Sequence, residues 1–412
     1  MIKRIDKEKE EEFKRSLGLN NYLDKVFEAD HIIIFDVEWF DDKNEKHINK
    51  GYRVQWNNLN GPYKGGLRFH AGVDVDLFKR LAFEQTFKNI LTTLPMGGAK
   101  GGSDFDPHGK SDNEIKNFCE AFMDQLYPYI GEEVDIPAGD IGVGSSEIRY
   151  LYERYKYKSG KSDCSLTGKP LDLGGSLCRK EATGYGLCYI VSKMLDTLKG
   201  TSFKDKRVVI SGSGNVAIYA AEKAMQLGAK VVAMSDSSNS IYVEEGINLD
   251  IVKEIKEVRK GRIKEYPNAV VMNTKDIWSI KCDIALPCAT QNELDLEDAK
   301  KLVENGVIAI GEGANMPCVE EAVKYFINHD ICYLPGKASN AGGVTVSGLE
   351  IEQNKKHEVW SFEKVNHRLK EIMETIFDNI YKTAQKDHKG HDFMYGANKY
   401  AYDKLVELYE KL

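Results

Sequence analysis

None of the eight cysteines stands in a C-x-x-C pair; they are scattered at positions 119, 164, 178, 188, 282, 288, 318 and 332. That excludes a thioredoxin-like redox motif and a zinc site built on paired thiols, so no metal is expected. Free buried thiols in a reducing compartment are the simplest account of them. No apolar run approaches the ~20 residues that span a bilayer, so no membrane association is expected. An excess of basic charge is missing too: the net charge is −7, which argues against nucleic acid as a partner. The opening MIKRIDKEKEEEFKR lacks the apolar centre of a secretory signal, and a cytoplasmic location is expected. His388 and His391 have no further ligand residues beside them and read as surface. Internal repeats and low-complexity segments are absent.

What remains is an ordinary globular composition, 42% hydrophobic and 29% charged, in 412 residues. That length predicts two domains at ~150 residues each, with some to spare. The stretch Gly65 to Gly102 stands out. An apolar helical pattern runs from about Asp76 to Leu94, and Gln85 and Lys88, three apart, leave the same helical face. Pro95 ends it. Gly97-Gly98-Ala99-Lys100-Gly101-Gly102 follows and reads as a tight turn presenting Lys100. Upstream, Gly61-Pro62-Tyr63-Lys64-Gly65-Gly66 presents Lys64 in the same manner. A single lysine is usually a solvated surface charge. Three delivered together suggest a pocket for a small, multiply negative molecule. GGAKGG is not a P-loop, because no Ser or Thr follows the lysine directly.

The flanking elements are simpler. Residues 1–29 read as a charged amphipathic helix. Phe35, Val37 and Trp39, then Tyr52, Val54 and Trp56, alternate with polar residues across a turn at Asp41–Glu45, which predicts a hairpin. Ser111 with Glu114 forms a capping box that opens a helix. A short strand at Glu133–Pro137 empties into Ala138-Gly139-Asp140-Ile141-Gly142, where glycines flank a carboxylate that could approach a ligand.

A second organisation begins near residue 175. Ala182-Thr183-Gly184-Tyr185-Gly186 opens a helix. The strand Arg207–Ser211, the turn Gly212-Ser213-Gly214-Asn215-Val216-Ala217, a helix to Leu227 and the strand Lys230–Met234 make up the first unit of a dinucleotide fold. The glycines of G-x-G-x-x-A let the backbone reach a pyrophosphate seated on the helix N-terminus. At the second strand's tip stands Ser235, followed by Asp236. An acid there would suit the ribose of NAD. The serine hydroxyls and the basic run Lys256, Arg259, Lys260 and Arg262 suit a 2′-phosphate instead. NADP is expected, and NAD less so. Cys282–Asn292 and Val307–Asn315 read as later parallel strands whose ends line the ligand crevice.

Taken together, GPYKGGLRFH, FEQTFKNILTTLPMGGAKGG, PAGDIGVG, ATGYG, GSGNVA, CATQN, EGANMP and KASNAGGVTVSGLE resemble hexameric glutamate dehydrogenase, most closely its bacterial-type NADP-linked branch. The resemblance implies that Lys64 and Ser347 bind the side-chain carboxylate of L-glutamate or 2-oxoglutarate. It implies that Lys88 binds the α-carboxylate, with Gln85 and Gly139 completing the substrate's surroundings. Lys100 would be the catalytic lysine and Asp140 the proton-transferring carboxylate. Thr183, Gly212, Gly214, Asn215, Val216, Ser235, Asp236 and Asn315 would contact the cofactor. Ammonia as a further substrate and a homohexamer are also implied. Ser213 and the pair Ala71-Gly72 depart from the family's usual residues, an aromatic and Pro-Ser. The expected fold is α/β: a substrate and oligomerisation domain over 1–175, a Rossmann-like domain over 176–375 and an inter-domain cleft. Helices over 376–412 would return to the first domain.

Overall fold

The computed structural model describes residues 3–411. The chain forms two compact units: Met1–Arg179 with Val344–Val365 and Ala401–Leu412, and Lys180–Gly343 with Asn366–Tyr400. The first division falls at Arg179. The later ones do not follow the expected single return, because residues 344–365 join the first unit and 366–400 the second. A buried ion pair explains the earlier return: Lys169 Nζ lies 2.9 Å from Glu350, both side chains being fully buried. An isolated buried charge is costly, so each must stay with its partner.

The first unit is built on a five-stranded sheet, β1 (His31–Phe40), β2 (Lys46–Asn57), β3 (Tyr63–Phe69), β4 (Gly98–Ser103) and β5 (Asp135–Gly139), in the order β1-β2-β4-β3-β5. The expected hairpin is the antiparallel pair β1–β2, and β3 runs parallel to both β4 and β5. Helices α1 (Lys7–Leu17), α2 (Val75–Leu91), α3 (Asp112–Leu126) and α4 (Ser145–Ser159) pack with it. The expected helix over 1–29 is shorter: Gly18, in the left-handed region at φ 63°, ends it. α2 begins at Asp74, whose side chain accepts from the Leu77 amide, and buries Phe83 and Phe87 against Phe13. The Ser111–Glu114 capping box forms as read. α3 contributes Phe118 and Phe122 to an aromatic core with Phe69 and Phe105.

One expectation fails outright. Lys64 and Lys100 do not sit in turns: Tyr63–Gly66 of GPYKGG and Gly98–Gly102 of GGAKGG lie in the adjacent parallel strands β3 and β4. The glycines serve close approach. A Cβ on Gly65 would sit 1.7 Å from the Ala99 carbonyl oxygen, and one on Gly98 would sit 1.9 Å from Thr86 Oγ1.

The second unit holds a seven-stranded sheet, β6 (Arg207–Ile210), β7 (Lys230–Ser235), β8 (Ser240–Tyr242), β9 (Val270–Met272), β10 (Ile284–Leu286), β11 (Ala309–Gly311) and β12 (Cys332–Leu334). Its order is β12-β11-β10-β6-β7-β8-β9, parallel from β12 through β7 and antiparallel beyond. The unit also contains α5 (Ala182–Lys199), α6 (Asn215–Gln226), α7 (Leu249–Lys253), α8 (Leu296–Glu304), α9 (Glu320–Asn328) and the short α10 (Gly336–Ser339). Helices α11 (Gly342–Lys355), α12 (Phe362–Lys386) and α13 (Phe393–Tyr409) carry the chain from one unit to the other. Gly184 explains the ATGYG motif: a Cβ there would lie 2.4 Å from the Ala220 amide nitrogen, so its absence lets α5 meet α6 closely. Among the described residues no helix is long and apolar enough to cross a membrane, and all eight cysteines are buried.

Candidate active site

All three predicted lysines lie in the first unit. Lys64 on β3 is 1% exposed, and Lys100 on β4 is 7% exposed. Burial, aided by the nearby Arg53, lowers the Lys64 pKa to about 7 against the opposing pull of Glu350. Burial and the like charge of Lys100 lower Lys88 to about 8, with Asp140 opposing. Lys100 is lowered too, by burial first, while Asp140 resists the shift. Removing an ammonium from water disfavours its charged form, and neighbouring cations add to that cost.

Asp140 directly follows β5. Its Oδ2 accepts from Arg68 Nε at 2.8 Å and lies 3.3 Å from Lys100 Nζ. Burial alone would raise the Asp140 pKa, but Lys100 and Arg68 outweigh it and hold the carboxyl below its ordinary value. Gly66 keeps this meeting point open, since a Cβ there would come within 2.9 Å of Asp140 Cβ and 3.2 Å of Lys100 Nζ. Gly139 is equally constrained, with the Val143 carbonyl 2.4 Å from where its Cβ would be.

Gln85 is half-buried on α2 and donates to Asn89 Oδ1 at 2.7 Å; Asn89 in turn donates to the Lys64 carbonyl at 3.0 Å. Ser347, 2% exposed on α11, lies three residues before Glu350 and so on the same helical face, and Glu350 is an electrostatic neighbour of Lys64. Three carboxylates near the cluster are already engaged: Asp135 by Arg53, Asp140 by Arg68 and Glu350 by Lys169. Positive charge is therefore in excess, as an anion-binding site requires.

Two cations here were not singled out in the sequence. Arg68 has just been described. Arg179 acts electrostatically on both Lys64 and Lys88, and its Nε is buried with no hydrogen-bond partner among the described residues. A buried donor without a partner is uncommon in folded proteins. Neither arginine has spacing that would signal it in the sequence.

In the second unit the β6–α6 turn fits a dinucleotide. Gly212 takes φ 84°, Gly214 has nothing within 4 Å of a would-be Cβ, and no side chain caps α6. Its first amides are left to an anion. Asn215 is exposed, Val216 is half-buried, and Asn215 Nδ2 donates to the Lys180 carbonyl at 2.8 Å. Thr183 is half-buried in the first turn of α5, and Asn315 is exposed after β11, accepting from Asn340 at 2.9 Å. Ser235 is turned inward: it is 1% exposed and its Oγ accepts the Gly212 amide at 2.9 Å. Asp236 is fully engaged. Its Oδ1 accepts from the Ser238 amide and hydroxyl and from the Asn239 amide, and its Oδ2 accepts from the Ile263 amide at 2.8 Å and Lys256 at 3.2 Å. Beside it, Arg262 donates to exposed Ser237 at 2.9 Å.

Fold and site thus define a two-unit α/β protein with a Rossmann-like dinucleotide-binding unit and a buried cationic, carboxylate-bearing site. The glutamate/leucine/phenylalanine/valine dehydrogenase model matches residues 174–411, and the model of that family's dimerisation domain matches residues 29–157. The chain belongs to this family. It is 50% identical over 395 residues to an NADP-specific glutamate dehydrogenase of Helicobacter pylori, covering 93% of this chain and 88% of the relative. It is equally 50% identical, over 394 residues, to an NAD(P)-specific glutamate dehydrogenase of Xylanibacter ruminicola, covering 94% and 88%. The crystal structure of Plasmodium falciparum glutamate dehydrogenase superposes with a TM-score of 0.94 at 46% identity, covering 97% of this chain and 89% of that one.

Proposed function

We propose that this chain catalyses the reversible oxidative deamination of L-glutamate to 2-oxoglutarate and ammonia with NADP(H), serving ammonia assimilation in the cytoplasm. The observation that carries the reading is the meeting of Lys100 and Asp140 at 3.3 Å among lysines of lowered pKa. Glutamate has two carboxylates, and two separate cationic anchors fix its orientation. Lys64 with Ser347 takes the side-chain carboxylate. Lys88, with Gln85 and Gly139, takes the α-carboxylate. Fixing a reacting carbon in this way contributes several kcal/mol to lowering the barrier.

Bound NADP supplies the hydride acceptor for Cα. Lys100, poised nearer neutrality than an ordinary lysine, takes a proton from the water that attacks the resulting iminium carbon. Asp140 carries protons to and from the nitrogen, and ammonia leaves. The saturated hydrogen bonding of Asp236 favours NADP, because no acceptor is left there for a ribose 2′-hydroxyl. Arg262 and Ser237 lie beside it to hold a 2′-phosphate. The first unit also carries the oligomer contacts of a homohexamer, which light scattering on the purified protein would reveal as a six-chain mass.

The test is steady-state kinetics with glutamate and leucine, each with NADP and NAD. Glutamate with NADP should give the highest kcat/KM. A preference for leucine would overturn the substrate, and a preference for NAD the cofactor.

A further inference from the structure

We propose that Arg68 is a positioning residue for proton transfer: its guanidinium pins Asp140 Oδ2, so that Oδ1 faces the substrate nitrogen and Asp140 is ionised, ready to accept a proton, even when Lys100 is without its own. The inference rests on the glutamate dehydrogenase reading above. Arg68 Nε at 2.8 Å and Lys100 Nζ at 3.3 Å both address Oδ2. Among the described residues no hydrogen bond is made to Oδ1, and the Asp140 side chain keeps 23% of its surface exposed. The two oxygens of one carboxylate are thereby given different duties.

The need for a second cation follows from the reaction. Lys100 must lose and regain a proton in each turnover, and during that interval it no longer stabilises its neighbour's charge. A carboxylate buried beside a neutral amine would take up a proton and could no longer accept one from the substrate ammonium. Arginine does not deprotonate in proteins, so its hold is constant through the cycle. Three elements present charge to Asp140: Arg68 on β3, Lys100 on β4 and Lys88 on α2. Of these, Lys88 is committed to a carboxylate and Lys100 to the proton. In the step itself a proton moves from the substrate nitrogen to Oδ1 and is later returned from Oδ1 to the departing amine. Arg68 exchanges none.

The test uses Arg68→Gln and Arg68→Lys in the full-length enzyme, with pH profiles of kcat and KM for glutamate oxidation. Arg68→Gln should lower kcat at neutral pH by about 10- to 100-fold, within the range for impaired general acid–base catalysis. Its KM should change by less than about threefold, since no binding contact is lost. Burial is then less opposed, the Asp140 pKa rises, and the acid limb of kcat moves upward by about one pH unit or more, so that activity recovers in part at higher pH. Arg68→Lys should keep the wild-type limb. Equal losses in both variants at every pH would mean a merely structural role and overturn the proposal.

A readout without turnover comes from pH-difference infrared spectroscopy of the ligand-free protein, with Asp140→Asn as the blank. In Lys100→Ala, where Arg68 acts without the lysine, the Asp140 carboxylate band should persist down to about pH 5, whereas an unsupported buried carboxyl would already be protonated. Protonation well above that pH would sink the inference even if Arg68→Gln fails to fold. A wild type that does not oxidise glutamate defeats the underlying reading instead, and the infrared titration still decides what Arg68 does.

Discussion

Ammonium groups with pKa values of about 7 at Lys64 and about 8 at Lys88 tie anion binding to pH. The charged form binds a carboxylate, and it is lost as pH rises through these values in the free protein. A bound dicarboxylate restores it, so binding must take up protons on the alkaline side. We expect the dissociation constant for 2-oxoglutarate to weaken by at least about tenfold between pH 7 and pH 9, one pKa unit being worth 1.36 kcal/mol. Calorimetry at pH 8 in buffers of different ionisation heat should show net proton uptake. An affinity that is flat across this range would mean these lysines are not the anchors. At this scale Lys64, Lys88, Lys100 and Asp140 were legible because glycines or a helix face single them out along the chain. Arg68 was not. It reads as an ordinary polar residue between Leu67 and Phe69, and it meets Asp140 only because β3 pairs with β5 across 72 positions of sequence. Arg179 was hidden for the same reason, since its partners belong to distant segments.

Glycine in β3 and β4 shows how an element can hold a site without contributing a side chain. The paired strands carry Lys64 and Lys100, and they fit their surroundings because Gly65, Gly66 and Gly98 have no Cβ to clash with Ala99, Asp140 and Thr86. Gly65→Ala would place a methyl 1.7 Å from the Ala99 carbonyl, a backbone atom that cannot rotate away. Overpacking of this kind costs about 1–3 kcal/mol and displaces the strands. Urea unfolding should show that loss, accompanied by a drop in kcat, because Ala99 immediately precedes Lys100. A fully stable and active Gly65→Ala would mean that the strands do not need the close approach. The sequence reading treated these glycines as turn formers, which is their usual meaning when only local spacing is visible. The β6–α6–β7 unit was read correctly, because its glycine turn, apolar strands and helix period all lie within one short stretch. The three-residue strands β8 and β9 were missed, being too short to show a period.

The predicted anion anchors lie in one compact unit and the β6–α6 turn in the other, and the chain passes between them at Lys180, Val344, Asn366 and Ala401. Two of those crossings, at 344 and 366, were not legible. A helix period says where α11 and α12 run but not which core receives them; α11 is claimed by a buried pair, Lys169 with Glu350, whose members lie 181 residues apart. The division makes ligand protection separable. Glutarate, a dicarboxylate that cannot react, should slow amide exchange in peptides from β3, β4, α2 and the Ser347 turn of α11. NADP should protect Gly212–Ala217 and the Asp236–Ile263 region. At 100 times its dissociation constant either ligand stabilises the state it binds by about 2.7 kcal/mol. The glutarate effect should be larger at pH 7 than at pH 9, because the lowered pKa values of Lys64 and Lys88 leave those side chains uncharged at the higher pH. Glutarate protection confined to the Gly212–Ala217 peptides, or insensitive to pH, would show that the buried lysines of the first unit are not where the diacid is held.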